Sequence, residues 1–160
     1  MYRVSVYASE TPGVGCFDNS TVGLDPENEP QPDLALIKPL AKGGQARTSD
    51  DDYIEGAPEL VVDIVGSSQS YDLHQKKDAY RRNGVDEYLA LITGENRLVW
   101  WKLREEEYEE IPPADGGLLK SRVFPGLRLD AAALLRGDLK CVLAALRKGI
   151  DSPDHQAFTS

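Results

Sequence analysis

Short apolar runs alternate with polar, turn-rich stretches along the chain, and the runs sort into two periods. Pro32-Asp-Leu-Ala-Leu-Ile37, Glu59-Leu-Val-Val-Asp-Ile-Val65 and Glu87-Tyr-Leu-Ala-Leu-Ile92 are continuous and rich in Val, Ile and Leu. That is the pattern of strands buried on both faces. Arg97-Leu-Val-Trp-Trp-Lys-Leu103 follows the third run across Thr93-Gly-Glu-Asn96, whose Gly and Asn suit a hairpin turn. Shorter strands are expected at 107–111 and near 119–123. Helical spacing takes over at 72–83, and again near 130–135 and 138–148. Asp72 with Gln75 makes a capping pair for the first of these helices, and Asn83-Gly84 a stop. Turn formers fill 10–32 and 41–58, which read as two long polar loops. Tyr2-Arg-Val-Ser-Val-Tyr-Ala-Ser reads as a strand from its Val4/Val6 alternation. This order predicts an α/β (α+β) fold: a mixed sheet with a central helix and C-terminal helices, in one domain over 1–150 with a polar tail at 151–160.

Asp63 breaks the pattern. It lies inside the most apolar run, where an ionised carboxylate is costly to bury unless it is paired, hydrogen-bonded or bound to a metal. A second acid, Asp33, begins another apolar strand. At about 100° per residue, Asp72, Leu73, Lys76, Ala79 and Tyr80 fall in one stripe of the 72–83 helix. A lysine in such a stripe has an anionic partner or snorkels to water. One partner is Asp72, four residues earlier. The other is the pair of strand carboxylates. Two carboxylates and a lysine, if they converge, suit metal-dependent phosphodiester chemistry. Lys77, His74 and Arg81 fall on the far side of the helix. Lys77, Arg81 and Arg82 form either a solvated face or a small basic patch for DNA.

Composition bounds these readings. The 160 residues are 41% hydrophobic, enough for a real core, and no apolar stretch is long enough to span a bilayer. The N-terminus lacks the layout of a secretory signal, so a cytoplasmic location with no membrane partner is expected. Cys16 and Cys141 belong to no Cys-x-x-Cys pair, which leaves zinc and thioredoxin-like chemistry unsupported. His155, in the polar tail, is expected to be solvated. The net charge of −9 argues against nucleic-acid binding driven by overall charge, though not against a local basic patch. Trp100 and Trp101 point to opposite faces of their strand, in the core or, for one of them, at an interface.

Five segments in order resemble the Uma2 family of restriction endonucleases. They are Gln31-Pro-Asp-Leu-Ala, Gly56-Ala-Pro-Glu-Leu-Val-Val-Asp-Ile-Val-Gly-Ser-Ser, Asp72-Leu-His-Gln-Lys76, Tyr80-Arg-Arg-Asn-Gly-Val-Asp-Glu-Tyr88 and Phe124-Pro-Gly-Leu. The family is assigned to the PD-(D/E)XK nuclease superfamily, and the resemblance covers residues 11 to 148. It implies a restriction-endonuclease-like core that binds Mg²⁺, with Mn²⁺ as a substitute, and cleaves DNA. Asp33 matches the acid of the family's Pro-Asp motif, Asp63 the second acid and Lys76 a lysine on the following helix. Asp72 is a secondary candidate. Three departures stand out. Asp63 replaces the more usual Glu, and Ser67-Ser68 replaces a Ser-Pro-Ser turn. The preceding segment with a Tyr-Glu-Leu-x-x-Gly motif is missing, so an N-terminally truncated fold is expected. The family places the end of a helix where the alternation of residues 2–9 suggests a strand. A truncated sheet favours self-association, so a homo-oligomer, a dimer, is expected. The alternative to an enzyme is a catalytically degenerate member acting as a binding or interaction module, with the acids satisfied by backbone donors or by Lys76.

Overall fold

The computed structural model describes residues 2–18, 21–24, 31–48, 53–66 and 70–160, with the side chains of 2, 3, 70–72 and 115 outside the description. The strands are β1 (Gly15–Asp18), β2 (Val22–Gly23), β3 (Leu34–Ile37), β4 (Arg47–Thr48), β5 (Ile54–Glu55), β6 (Leu60–Val65), β7 (Glu87–Ile92), β8 (Arg97–Arg104), β9 (Glu107–Glu110), β10 (Leu118–Lys120) and β11 (Arg128–Asp130). The α-helices are α1 (Tyr2–Ser9), α2 (Ser70–Arg82), α3 (Ala131–Leu135), α4 (Leu139–Ile150) and α5 (Pro153–Thr159). Where the sequence reads as one domain, the chain packs as two compact units, residues 13–110 and residues 1–12 with 111–160.

The three apolar runs are neighbours in the larger unit. Its main sheet has the order β1-β3-β6-β7-β8-β9, and β6–β7 is its parallel pair. A parallel pair needs a long crossover, and α2 provides it. Strand alternation puts Val61, Asp63 and Val65 on the face beneath α2. There Val61 and Val65 pack with Tyr88, Ala90, Ile92 and Trp101, and with Leu73 and Tyr80 from the helix. Each buried Val, Leu or Ile there stabilises the fold by about 1.5–3 kcal/mol. The helix ends as its sequence dictates. Gly84 takes a left-handed φ of 81°, and Val85 N donates to Tyr80 O at 3.0 Å. Gly84 N donates to Arg81 O, and the Val85 side chain joins the core beside Tyr80. This is a Schellman closure with its usual apolar contact.

Several expectations are corrected. Ile64, in the run expected to be buried on both faces, is 44% exposed. The two polar loops contain β1, β2, β4 and β5, and the last three make a small sheet of order β2-β5-β4. Two-residue strands carry too little periodicity to be read. Neither tryptophan is at the surface: Trp100 is 2% and Trp101 8% exposed. The strand expected near 119–123 is β10 and stops at Lys120. The capping pair of Asp72 and the Ser67-Ser68 turn lie outside the described residues.

In the smaller unit, residues 2–9 are a helix and not a strand. Tyr7 is fully buried, with its ring edge-on to Phe124 and His155 and its hydroxyl donating to Pro125 O at 2.7 Å. That anchoring is tertiary, and a two-position alternation of valines could not reveal it. The polar tail is likewise a helix, α5, capped by Ser152. His155 on α5 is buried and meets Thr11 Oγ1 at 2.8 Å. Asp130 and Asp138 cap α3 and α4 in the same way.

The β8–β9 hairpin holds strain. Glu105 and Glu106 bridge Arg104 and Glu107 with φ of 50° and 69°. A turn with two positive φ angles favours Asn-Gly, and each L-residue with a Cβ there costs roughly 1–2 kcal/mol. The double substitution Glu105→Asn/Glu106→Gly is therefore expected to raise the unfolding free energy by about 1–2 kcal/mol in urea titration. An unchanged or lower midpoint would show that the turn is not strained.

Candidate functional site

Asp33 and Asp63 meet at the end of the β3–β6 ladder. Leu34 pairs with Val62, so the next antiparallel step sets Asp33 opposite Asp63. Main-chain pairing gives way there to side chains. The Asp33 amide donates to Asp63 Oδ1 at 3.1 Å, and the Ile64 amide donates to Asp33 Oδ2 at 2.6 Å. Each carboxylate thus takes up an amide of the opposite strand. The Tyr88 hydroxyl, from β7, donates to Asp63 Oδ2 at 3.0 Å. Lys76 reaches in from α2, its Nζ 3.9 Å from Asp63 Oδ1. That is ion-pair range, not a hydrogen bond. The expected convergence of Asp33, Asp63 and Lys76 is present in the geometry.

Asp63 is 1% exposed. Burial pushes its carboxyl above the usual carboxylate range, and the negative charge of Asp33 adds to the push. Lys76, the Asp33 amide and the Tyr88 hydroxyl pull the other way. Burial and then the Asp63 charge also push the phenols of Tyr88 and Tyr80 upward, so both stay protonated donors. The Tyr80 ring packs edge-on against Tyr88 with centroids 5.0 Å apart. Among the described residues its buried hydroxyl has no hydrogen-bond partner of good geometry, and the Asp63 carboxylate is the acceptor that acts on it. A buried donor left unpaired costs about 1–3 kcal/mol, which favours the hydroxyl turning to Asp63.

A divalent cation fits the residues present. The carboxylates offer hard oxygen donors, and among the described residues Asp33 Oδ1 accepts no hydrogen bond. No third His, Cys, Asp or Glu completes a cluster among the described residues. A two-carboxylate set suits an ion that keeps several of its waters.

The proposed DNA contacts fare unevenly. Arg81 and Arg82 both pair with Asp78, at 2.7 and 2.9 Å, and Arg81 also holds the hairpin through Glu106 O. Lys77 is not on an open face: its ammonium lies 4.3 Å over the Trp101 ring. Its long stem lets it reach back across the helix. The side chain of Asp72 lies outside the described residues.

Two buried acids went unread in the sequence. Glu59 accepts the amides of Lys38 and Gln45 at 3.0 and 2.7 Å, and Glu87 accepts Trp100 Nε1 at 3.2 Å. Both are as buried as Asp63. The signal was an acid in an apolar run, the same one that drew attention to Asp63. Burial of an acid therefore does not mark the site. Asp63 stands apart because a second acid, a lysine and two tyrosines surround it.

The family model of Uma2, described as "Putative restriction endonuclease", matches residues 3–132. The chain belongs to the Uma2 family. No curated protein matches it. Among solved structures it is similar to "a putative nuclease belonging to DUF820 from Anabaena variabilis ATCC 29413". The two share 14% identity, with a TM-score of 0.55, over 89% of this chain and 76% of that one. At that identity the likeness establishes the fold, a mixed sheet flanked by helices of the nuclease-like kind. Membership in Uma2 supports nuclease function in general and a divalent-metal requirement of the kind common to restriction-endonuclease-like proteins.

An acid whose pKa is raised on folding binds more protons folded than unfolded between the two values. Stability therefore falls as pH rises through that window. In metal-free protein the Asp63 carboxyl should titrate above the ordinary value of about 3.9. Lys76→Met should move it further up, because the variant removes a charge that pulls it down. Carboxyl carbon shifts in an NMR pH titration read both effects. A lower pKa in the variant would contradict the ion pair.

Proposed function

We propose that the protein is a divalent-metal-dependent nuclease that hydrolyses phosphodiester bonds in DNA. Asp33 and Asp63 hold Mg²⁺, or Mn²⁺ in its place, and Lys76 serves the reacting phosphate. The observation that carries this reading is the meeting of the two acids at the end of one ladder, with Lys76 above them. When bound, the cation supplies charge that acidifies water and offsets the charge of the phosphate.

The chain's own residues supply orientation and charge. The Asp33 and Ile64 amides hold the carboxylates against the sheet, so their position follows the ladder rather than a loop. Tyr88 fixes the remaining Asp63 oxygen. Lys76, one-third exposed, can turn its ammonium from Asp63 toward a phosphate oxygen and stabilise charge that develops there. The protein's −9 charge works against DNA, so binding depends on the cation and on local lysines.

A second reading has its own observation. Both carboxylates already satisfy main-chain amides, as they would in a degenerate member acting as a binding module. Plasmid cleavage separates the two. The nuclease reading expects nicking or linearisation with Mg²⁺ or Mn²⁺ and none in EDTA. Asp63→Asn and Lys76→Ala should each slow cleavage by about 100-fold or more. Circular dichroism would confirm that the variants are folded. Absence of metal-dependent cleavage, or equal rates in all three proteins, would leave the binding-module reading standing.

A further inference from the structure

Beyond the acids, on the same face, lies a cavity of about 210 Å³. It sits at the carboxyl ends of β6 and β7, the parallel pair, which is where open α/β sheets bind ligands. Val65, Leu73, Ile92 and Trp101 give it an apolar lining. His74, Lys77 and Arg97 add polar and basic groups, with one acid, Glu95, that pairs with Arg97 at 3.9 Å. Among the described residues, neither Lys77 nor His74 is ion-paired. Val65 is two residues past Asp63, about 7 Å along the strand. Lys76 and Lys77 are adjacent on α2, one directed to the acids and the other to the cavity.

We propose that this cavity is a subsite for one unpaired nucleotide next to the scissile phosphate. The inference rests on the nuclease reading, since it takes the substrate to be a polynucleotide. The volume is below the roughly 300 Å³ of pockets that hold drug-sized ligands, and so suits a single ring system. The combination of apolar walls and the Lys77 ammonium, which has no ion-pair partner among the described residues, matches a flat base joined to an anion. Trp101 already has ring contacts: Tyr88 stacks with it at a centroid distance of 5.6 Å with planes 28° from parallel, and the Lys77 ammonium lies over its ring. A base takes the place of the ammonium over the ring, and the released ammonium pairs with the nucleotide's phosphate. Aromatic stacking accepts any base, so the subsite reads little sequence. A base seated there is outside a duplex stack, so the substrate is single-stranded nucleic acid or a nucleotide extruded from a duplex. A polar cleft that shares His74 and Lys77 adjoins the cavity, and there Arg81 is already paired with Asp78 and Glu107 adds a second acid, so the phosphate contact falls to Lys77.

The two histidines make the test internal. His74 lines the cavity, while His155 is buried in the other unit. Metal-free protein is titrated in EDTA with deoxyadenosine monophosphate, deoxyadenosine or inorganic phosphate, and the imidazole carbon–proton signals are followed. The monophosphate is expected to shift His74 saturably, leave His155 in place and bind more tightly than either fragment. Lys77→Met, which keeps a stem over Trp101 without the charge, should weaken binding about tenfold. No saturable His74 shift up to about 10 mM, a range that still detects very weak binding, would overturn the subsite. So would an equal response to inorganic phosphate, or unchanged affinity in Lys77→Met. A protein that binds the monophosphate but cleaves no plasmid keeps this subsite and loses the nuclease reading. One that cleaves plasmid while His74 stays still loses the subsite alone.

Discussion

The exchange between Asp33 and Asp63 is the interaction around which the face beneath α2 in the larger unit is arranged. Two strands end a ladder by handing an amide of each to a carboxylate of the other. This places a buried carboxylate, Asp63, beside a partly exposed one, Asp33. Such an arrangement is costly unless donors and a cation surround it. The amides of Asp33 and Ile64, the hydroxyl of Tyr88 and the ammonium of Lys76 are those donors. They compensate incompletely, since burial still holds the Asp63 carboxyl above its ordinary range.

The fold supplies the rest by packing. The α2 crossover required by the parallel β6–β7 pair covers the acid-bearing face, and its stripe brings Tyr80 and Lys76 over it. A column of Tyr80, Tyr88, Trp101 and Lys77 then runs from the acids to the cavity. Tyr88 and Trp101 are direct partners in the β7–β8 ladder, which fixes their stacking. The acids and the cavity are therefore parts of one face, joined by aromatic rings that belong to both.

Much of the architecture was legible because its signals are local. The β7 boundaries, the turn after it, the Asn83-Gly84 stop and the place of α2 follow from apolar runs and turn chemistry. Asp63 was legible as an anomaly, and the Pro-Asp segment singled out Asp33. The short strands, the N-terminal helix and the helix at the C-terminus were not. Their stability comes from partners remote in sequence, such as Tyr7 with Phe124 and Thr11 with His155. Glu59 and Glu87 show the limit from the other side. Their positions raise the same flag as Asp63, and only their neighbours give them different roles.

By itself the sequence determined where the longer strands and α2 form, that Asp63 is an anomaly in its strand, and which family the chain resembles. These follow from periodicity, from the cost of burying charge and from the order of short motifs. Tertiary structure alone decided the rest. Register set Asp33 against Asp63, because one step of slippage would turn one of them to the other face. Helix packing sent Lys76 to the acids and laid Lys77 on Trp101, although both are neighbours on one helix. Asp78 pairs with Arg81 and Arg82, which the sequence offers as either a solvated face or a basic patch. Each outcome depends on which groups become neighbours in space, and a linear pattern of apolar and polar residues does not carry that information.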